Sequence, residues 1–82
     1  MPWHIDRADP AHPIVRHRGR DPADAVRVFL CDEHGRARTE RWGRVRPGEA
    51  LQLCLCDVDR ASAVTTLAWF DADAEYLWRF TV

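Results

Sequence analysis

Apolar and polar side chains alternate over the last eight residues, Glu75–Val82. Because successive side chains of a β-strand point to opposite faces, a period of two predicts a strand with one face buried. The face predicted to be buried carries Tyr76, Trp78, Phe80 and Val82, and the other carries Leu77, Arg79 and Thr81. This alternation makes a β-fold the first hypothesis.

Five more segments combine apolar residues with a period near two, and turn-forming residues separate them at a spacing typical of a β-sandwich. They are Ile14–Arg18, Ala25–Cys31, Ala37–Trp42, Leu51–Cys56 and Val64–Phe70. Trp3–Ile5 is a further candidate for a short strand, inside an otherwise irregular N-terminal arm over residues 1–13. The sequence therefore predicts an all-β chain: a small antiparallel seven-strand β-sandwich domain over residues 14–82, following the arm.

Turn chemistry supports this division. The segment Asp32–Gly35 is typical of a hairpin loop, because its glycine accepts a positive φ. Arg46–Glu49 predicts a type II turn, in which Pro47 presets φ and Gly48 takes the positive φ. Asp71–Ala74 connects the last two strands.

In two segments a helix is the alternative to the predicted structure. Asp21 and Pro22 would begin a helix well, as N-cap and first helical residue. A strand is favoured at residues 21–30 because Val26, Val28 and Phe29 are β-formers with a period of two. Asp57–Ala63 is the second segment, where a helical turn between two strands is the alternative.

Several of these segments resemble a known family. In His17–Val28, the first strand ends in a three-residue motif, which is a polar residue, a residue of any type and then Gly. A strand with the pattern Val-x-Val follows it. Trp42–Leu51 carries a Pro-Gly-Glu turn, and Trp69–Asp71 with Tyr76–Trp78 is similar to a closing hairpin. This pattern resembles the bacterial immunoglobulin-like domains of the cell-adhesion-related (CARDB-like) type, in which Asn is common where His17 stands. The resemblance implies an immunoglobulin-like sandwich and leaves function open.

Charge and targeting signals exclude several classes of protein. A net charge of −1 argues against a dedicated nucleic-acid or anionic-membrane binder. The N-terminus lacks the pattern of a signal peptide, and no segment approaches the roughly 20 apolar residues that cross a bilayer. Three Cys do not suit a disulfide framework, so we expect a cytoplasmic protein with reduced thiols.

Candidate catalytic and metal-binding residues are few. Cys54 and Cys56, with Cys31 and a His, suggest a metal site, but packing on a sheet face explains small residues there more simply. We expect the four histidines to lie on the surface in arm or turn positions; they are His4, His12, His17 and His34. The acid pairs Asp57/Asp59 and Asp71/Asp73 are expected in solvated loops or caps. No nucleophile–base set is visible around Ser62, so we expect neither an enzyme nor a bound metal or cofactor.

Alternate residues around Trp42 offer one candidate ligand-binding face. If the strand continues through Gly43, the even positions share a face; they are Arg36, Arg38, Glu40, Trp42, Arg44 and Arg46. Arginines around an aromatic ring can bind an anionic ligand or single-stranded nucleic acid. The simpler interpretation is a solvated face with Trp42 covering the edge of the core.

The preferred function is a non-enzymatic interaction module that docks a protein partner or associates with itself. In a sandwich only one face of each sheet points inward. We expect Val28, Trp69 and Trp78 in the core, which leaves three large apolar side chains as candidates for the outer face: Phe29, Phe70 and Leu77. A patch of this size is unusual on a soluble monomer and predicts a homodimer.

Overall fold

The computed structural model describes residues 2–81, a part of the chain that contains seven strands and no helix. The strands are β1 (Trp3–Asp6), β2 (Ile14–His17), β3 (Ala23–Cys31), β4 (Ala37–Val45), β5 (Ala50–Gln52), β6 (Val64–Asp71) and β7 (Ala74–Thr81). The all-β prediction is confirmed. The helix weighed at residues 21–30 is not formed, and residues 57–63 form turns. Val82, predicted on the buried face of the last strand, lies outside the described residues.

The strands form two antiparallel sheets. One has three strands in the order β1-β2-β5, and the other has four in the order β4-β3-β6-β7. The sheets share one apolar core, in which Trp3 of the first sheet meets Trp69 of the second edge-on, with ring centroids 5.6 Å apart. This arrangement is compatible with the predicted small β-sandwich.

The N-terminal segment contributes directly to this core. β1 pairs with β2 over its whole length, and its side chains Trp3 and Ile5 are buried. Val28 and Trp69 are buried as predicted, whereas Trp78 is half-buried and packs against Phe80, with ring centroids 4.6 Å apart. The prediction that Tyr76 is buried is wrong: its side chain is 47% exposed, although its ring stacks on Trp69.

The turn between β4 and β5 has the predicted form. Gly48 has a φ of 87°, and the Glu49 N–H donates to the carbonyl of Arg46 over 3.1 Å, as in a four-residue turn. The Gly48 N–H then donates to the carbonyl of His17 over 2.8 Å. The turn is thereby attached to the end of β2.

β4 extends beyond the predicted end at Trp42 to Val45, and it contains an irregularity at Gly43. The pairing of β3 with β4 shifts register next to Val26 and Gly43, whose φ of 69° suits glycine. The extra residue reverses the alternation of side chains, so Val45 is buried although it occupies an odd position.

β5 is shorter than the predicted strand Leu51–Cys56 and ends at Gln52. Beyond it, the N–H groups of Leu53 and Leu55 donate to the carbonyls of Pro13 and Ala11, both over 2.9 Å. Pro13 has no N–H to return a bond, so a regular ladder cannot continue there. The alternation nevertheless persists, because Leu53 and Leu55 are buried and their neighbours are exposed.

Among residues 2–81, no helix is long and apolar enough to cross a membrane.

Candidate functional site

The outer face of the four-stranded sheet carries two of the three large hydrophobic side chains that are exposed in residues 2–81. Phe29 on β3, Phe70 on β6 and Leu77 on β7 all lie on it. Phe29 is 40% exposed and Leu77 68%, while Phe70 is half-buried. The three side chains predicted for self-association therefore share one surface, which is called the outer face below.

Arg27 holds the centre of the outer face together. Its guanidinium carbon lies 5.5 Å from the centroid of the Phe70 ring, and its Nη2 donates to Glu75 Oε2 over 2.8 Å. Ala68 pairs with both Arg27 and Leu77, and it is buried although it does not belong to the core cluster. The outer face is thus a packed layer of side chains.

Charged side chains of both signs border this layer. Arg41 pairs with Arg27 on the β4 side, and Arg79 and Glu75 lie on β7 at the opposite side. Cys31 lies on the same face two residues beyond Phe29 and is exposed.

The arginines around Trp42 do not form the predicted single face. Trp42 is half-buried against the core, and Arg38 on the same side donates to Asp57 over 2.7 Å and to the carbonyl of Cys54. The irregularity at Gly43 separates these residues from those after it. Arg44 lies 3.5 Å from Asp24, while Arg36 precedes the strand and Arg46 follows it. Two of the four arginines thus already have acidic partners.

His17 was expected on the surface, but it lies in β2 and is 2% exposed. Its Nδ1 accepts the N–H of Gly19 and its Nε2 donates to the carbonyl of Asp21, both over 2.8 Å. These partners fix one neutral tautomer. Its role is structural, because the ring closes the turn that leads to β3 and packs against Trp3.

Asp32 organises the hairpin loop between β3 and β4. Its carboxylate accepts the backbone N–H groups of His34, Arg36 and Asp59 over 2.8–3.0 Å. The Asp59 N–H is the largest cause of a pKa of Asp32 below its ordinary value of 3.8. The loop is therefore held to the turn before β6 by this carboxylate.

Ser62 lies beside His34 without forming a nucleophile–base pair. Both side chains contact the Asp59 carboxylate, His34 at 3.1 Å and Ser62 at 3.3 Å. In a catalytic triad the histidine stands between the serine and the acid, whereas here the acid stands between the other two. This arrangement does not activate the serine.

A second cluster of reactive side chains lies in the segment before β2 and in the segment after β5. The Sγ atoms of Cys54 and Cys56 are 3.0 Å apart, and His12 Nε2 lies 3.4 Å from Cys56 Sγ. The hydrogen bond between the two thiol groups is the largest cause of a lowered pKa of Cys54, and the same contact is the largest cause of a raised pKa of Cys56. The pKa of His12 is raised, first by its hydrogen bond to Asp9.

Sequence reasoning weighed Cys54 and Cys56 with a histidine but did not identify His12, because 44 residues separate His12 from Cys56. It paired the cysteines with Cys31, which lies on the outer face instead. The one local signal was the alternation of buried leucines with Cys54 and Cys56, which already placed both sulfurs on one side.

No protein-family model matches the sequence, and a search of curated proteins returns no match. Function is therefore inferred from the geometry of these surfaces.

Proposed function

We propose that this protein is a non-enzymatic interaction module with an immunoglobulin-like fold, and that it forms a homodimer through the outer face. The observation that carries the proposal is the exposure of Phe29 and Leu77 on one sheet surface together with Phe70. Such a surface on a small sheet is typical of a docking site.

The order of the strands supports the immunoglobulin-like part of the proposal. Immunoglobulin-type sandwiches place the first, second and fifth strands in one sheet and the third, sixth and seventh in the other. The same division applies here. β4 pairs with β3, as in variable-type immunoglobulin domains, where an additional strand lies beside the third strand of the fold. The His17–Gly19 hydrogen bond also gives a reason for the resemblance, because an Asn oxygen can accept the same N–H.

The charges around the outer face suit a second copy of the same chain. A two-fold axis through the face brings equivalent surfaces together. Arg79 and Glu75 lie on the same strand, β7. If β7 of the second copy runs antiparallel to it, Arg79 of each chain lies beside Glu75 of the other. Arg27, next to Phe70, pairs with Glu75 within its own chain.

The size of the outer face sets the expected affinity. Four strands about 4.8 Å apart and about eight residues long cover roughly 500 Å² on each copy. A total near 1,000 Å² is at the low end for specific association, so we expect a dimer that dissociates in the micromolar range.

The remaining parts of the proposal concern compartment and chemistry. Cys31, Cys54 and Cys56 are free thiols in the structure, which supports a reducing, cytoplasmic compartment. The non-enzymatic role is supported by the contacts of Ser62, which meets Asp59 rather than His34.

Sedimentation velocity across the micromolar range tests the proposal. The wild-type chain is expected to shift from monomer to dimer with concentration, and Leu77→Glu is expected to remain a monomer with an unchanged circular dichroism spectrum. Gln52→Glu is the control, because it adds the same charge at an exposed site on β5 of the other sheet. A wild-type monomer at high micromolar concentration contradicts the dimer, and a dimer that tolerates Leu77→Glu contradicts the surface.

A further inference from the structure

The cluster of His12, Cys54 and Cys56 has the donor atoms of a metal site. Two sulfurs and one imidazole nitrogen lie within 4.8 Å of one another. Thiolate and imidazole together favour Zn²⁺ and other soft or borderline metal ions over Mg²⁺ or Ca²⁺, which prefer oxygen ligands.

The backbone holds the two halves of this cluster in place. The N–H groups of Leu53 and Leu55 donate to the carbonyls of Pro13 and Ala11. Cys54 and His12 each lie between two of these hydrogen-bonded residues. The two leucines are buried in the core and turn the cysteine side chains outward. The relative position of sulfur and imidazole is thus fixed by the fold.

Asp9 orients the imidazole. Its Oδ2 lies 3.1 Å from His12 Nδ1, and its Oδ1 accepts the N–H of Ala11 over 3.1 Å. A proton on Nδ1 donates to the carboxylate and leaves the lone pair of Nε2 directed at the sulfurs. A carboxylate behind a histidine in this way is a common feature of metal sites, since it fixes the ring and makes it a better ligand.

The distances fit a tetrahedral Zn²⁺ ion after a small adjustment. With Zn–S near 2.3 Å and Zn–N near 2.05 Å, tetrahedral angles require about 3.6 Å between nitrogen and sulfur and about 3.8 Å between the sulfurs. The distance from His12 Nε2 to Cys56 Sγ is 3.4 Å, and the sulfurs are 3.0 Å apart. The sulfurs must separate somewhat, and rotation of two exposed side chains allows this.

We propose that His12, Cys54 and Cys56 bind one Zn²⁺ ion, with a water molecule in the fourth position and Asp9 positioning the histidine. The site lies on the segments that precede β2 and follow β5, away from the outer face. It is therefore independent of the proposed dimer.

Metal titration of the reduced, metal-free protein tests this inference, with Zn²⁺ and Co²⁺ as the probes. One equivalent of Zn²⁺ should bind, and Co²⁺ should give sulfur-to-cobalt charge-transfer absorption and the strong visible bands of four-coordinate cobalt. Cys54→Ser and His12→Gln should each lose the cobalt signal, whereas Cys31→Ser should retain it. Asp9→Asn should weaken Zn²⁺ binding by about 10–100-fold while leaving the thiolate bands in place at saturating Co²⁺.

Three results would overturn the site. They are an absence of stoichiometric zinc binding in the reduced protein, equal binding by wild type and Cys54→Ser, or a Cys54–Cys56 disulfide that withstands reductant. Circular dichroism of each variant shows whether the sheets are intact, so a loss of folding is separated from a loss of ligand. None of these three results depends on the mass of the protein in solution, and that mass tests the dimer separately.

Discussion

Replacing Gly19 with Ala probes the turn that follows β2. A Cβ at this position would lie 2.6 Å from Cε1 and 3.2 Å from Nδ1 of His17, and 3.0 Å from Cβ of Pro2. The imidazole cannot move aside freely, because it is buried, lies 4.9 Å from the ring centroid of Trp3 and makes hydrogen bonds at both nitrogens. The new methyl group therefore displaces a ring that the fold has fixed.

The expected cost follows from these contacts. Ordinary van der Waals contact requires the ring to shift by about 1 Å, which lengthens both 2.8 Å hydrogen bonds of His17. Leaving a buried polar group unpaired costs about 1–3 kcal/mol, and overpacking adds about 1–3 kcal/mol. We expect Gly19→Ala to lower the free energy of unfolding by about 2–6 kcal/mol, against a total of roughly 4–12 kcal/mol for a chain of this length.

Urea unfolding followed by Trp fluorescence measures this cost, and a double-mutant cycle identifies its cause. His17→Asn removes the atom nearest the new methyl group while keeping an acceptor for the Gly19 N–H. In that background, Gly19→Ala should cost about 1 kcal/mol at most, giving a coupling of about 1 kcal/mol or more. An equal cost in both backgrounds refutes the reasoning, because His17 would then not be the obstacle.

Other substitutions test other parts of the structure. Leu67→Ala should lower the free energy of unfolding by about 2–5 kcal/mol because Leu67 is fully buried, whereas Leu77→Ala, measured on monomer, should cost less than about 1 kcal/mol; similar losses would contradict their assignment to opposite faces. Ala72 has a φ of 55°, so Ala72→Gly should raise the thermal midpoint, by an amount equivalent to about 1 kcal/mol at most. The pKa of Asp32 is lower in the folded chain than its ordinary value of 3.8. The ionised carboxylate therefore stabilises the fold above pH 3.8, and this stabilisation is lost as the pH falls through the folded pKa. The stability difference between wild type and Asp32→Asn should therefore be largest near neutral pH and shrink in acid, and a difference that grows in acid would contradict the assignment.

The period of two was sufficient to predict most strands. It assigned Val26, Val28 and Leu30 to the buried face of β3, and all three are buried. It could do so because the alternation of side chains is a property of each strand alone. The turn at Gly48 was predictable for the same reason, since a positive φ is a local requirement.

Features that depend on neighbouring strands were not predictable. The irregularity at Gly43 arises from the register between β3 and β4, so the even positions around Trp42 separate into different surfaces. β5 ends early because Pro13 has no N–H with which to return a ladder bond. His12 meets Cys56 only through that same pairing.

The central claim is that a second copy of the chain covers the outer face, and the reactivity of Cys31 reports on that surface directly. Cys31 is an exposed thiol on the outer face, and Cys54 and Cys56 are exposed thiols elsewhere. Alkylation in metal-free buffer, followed by mass spectrometry of each cysteine, should slow at Cys31 as the protein concentration rises through the micromolar range. The rates at Cys54 and Cys56 should stay constant over the same range. If Cys31 reacts at the same rate in monomer and dimer, or if protection falls on Cys54 and Cys56 instead, the outer face is not the contact.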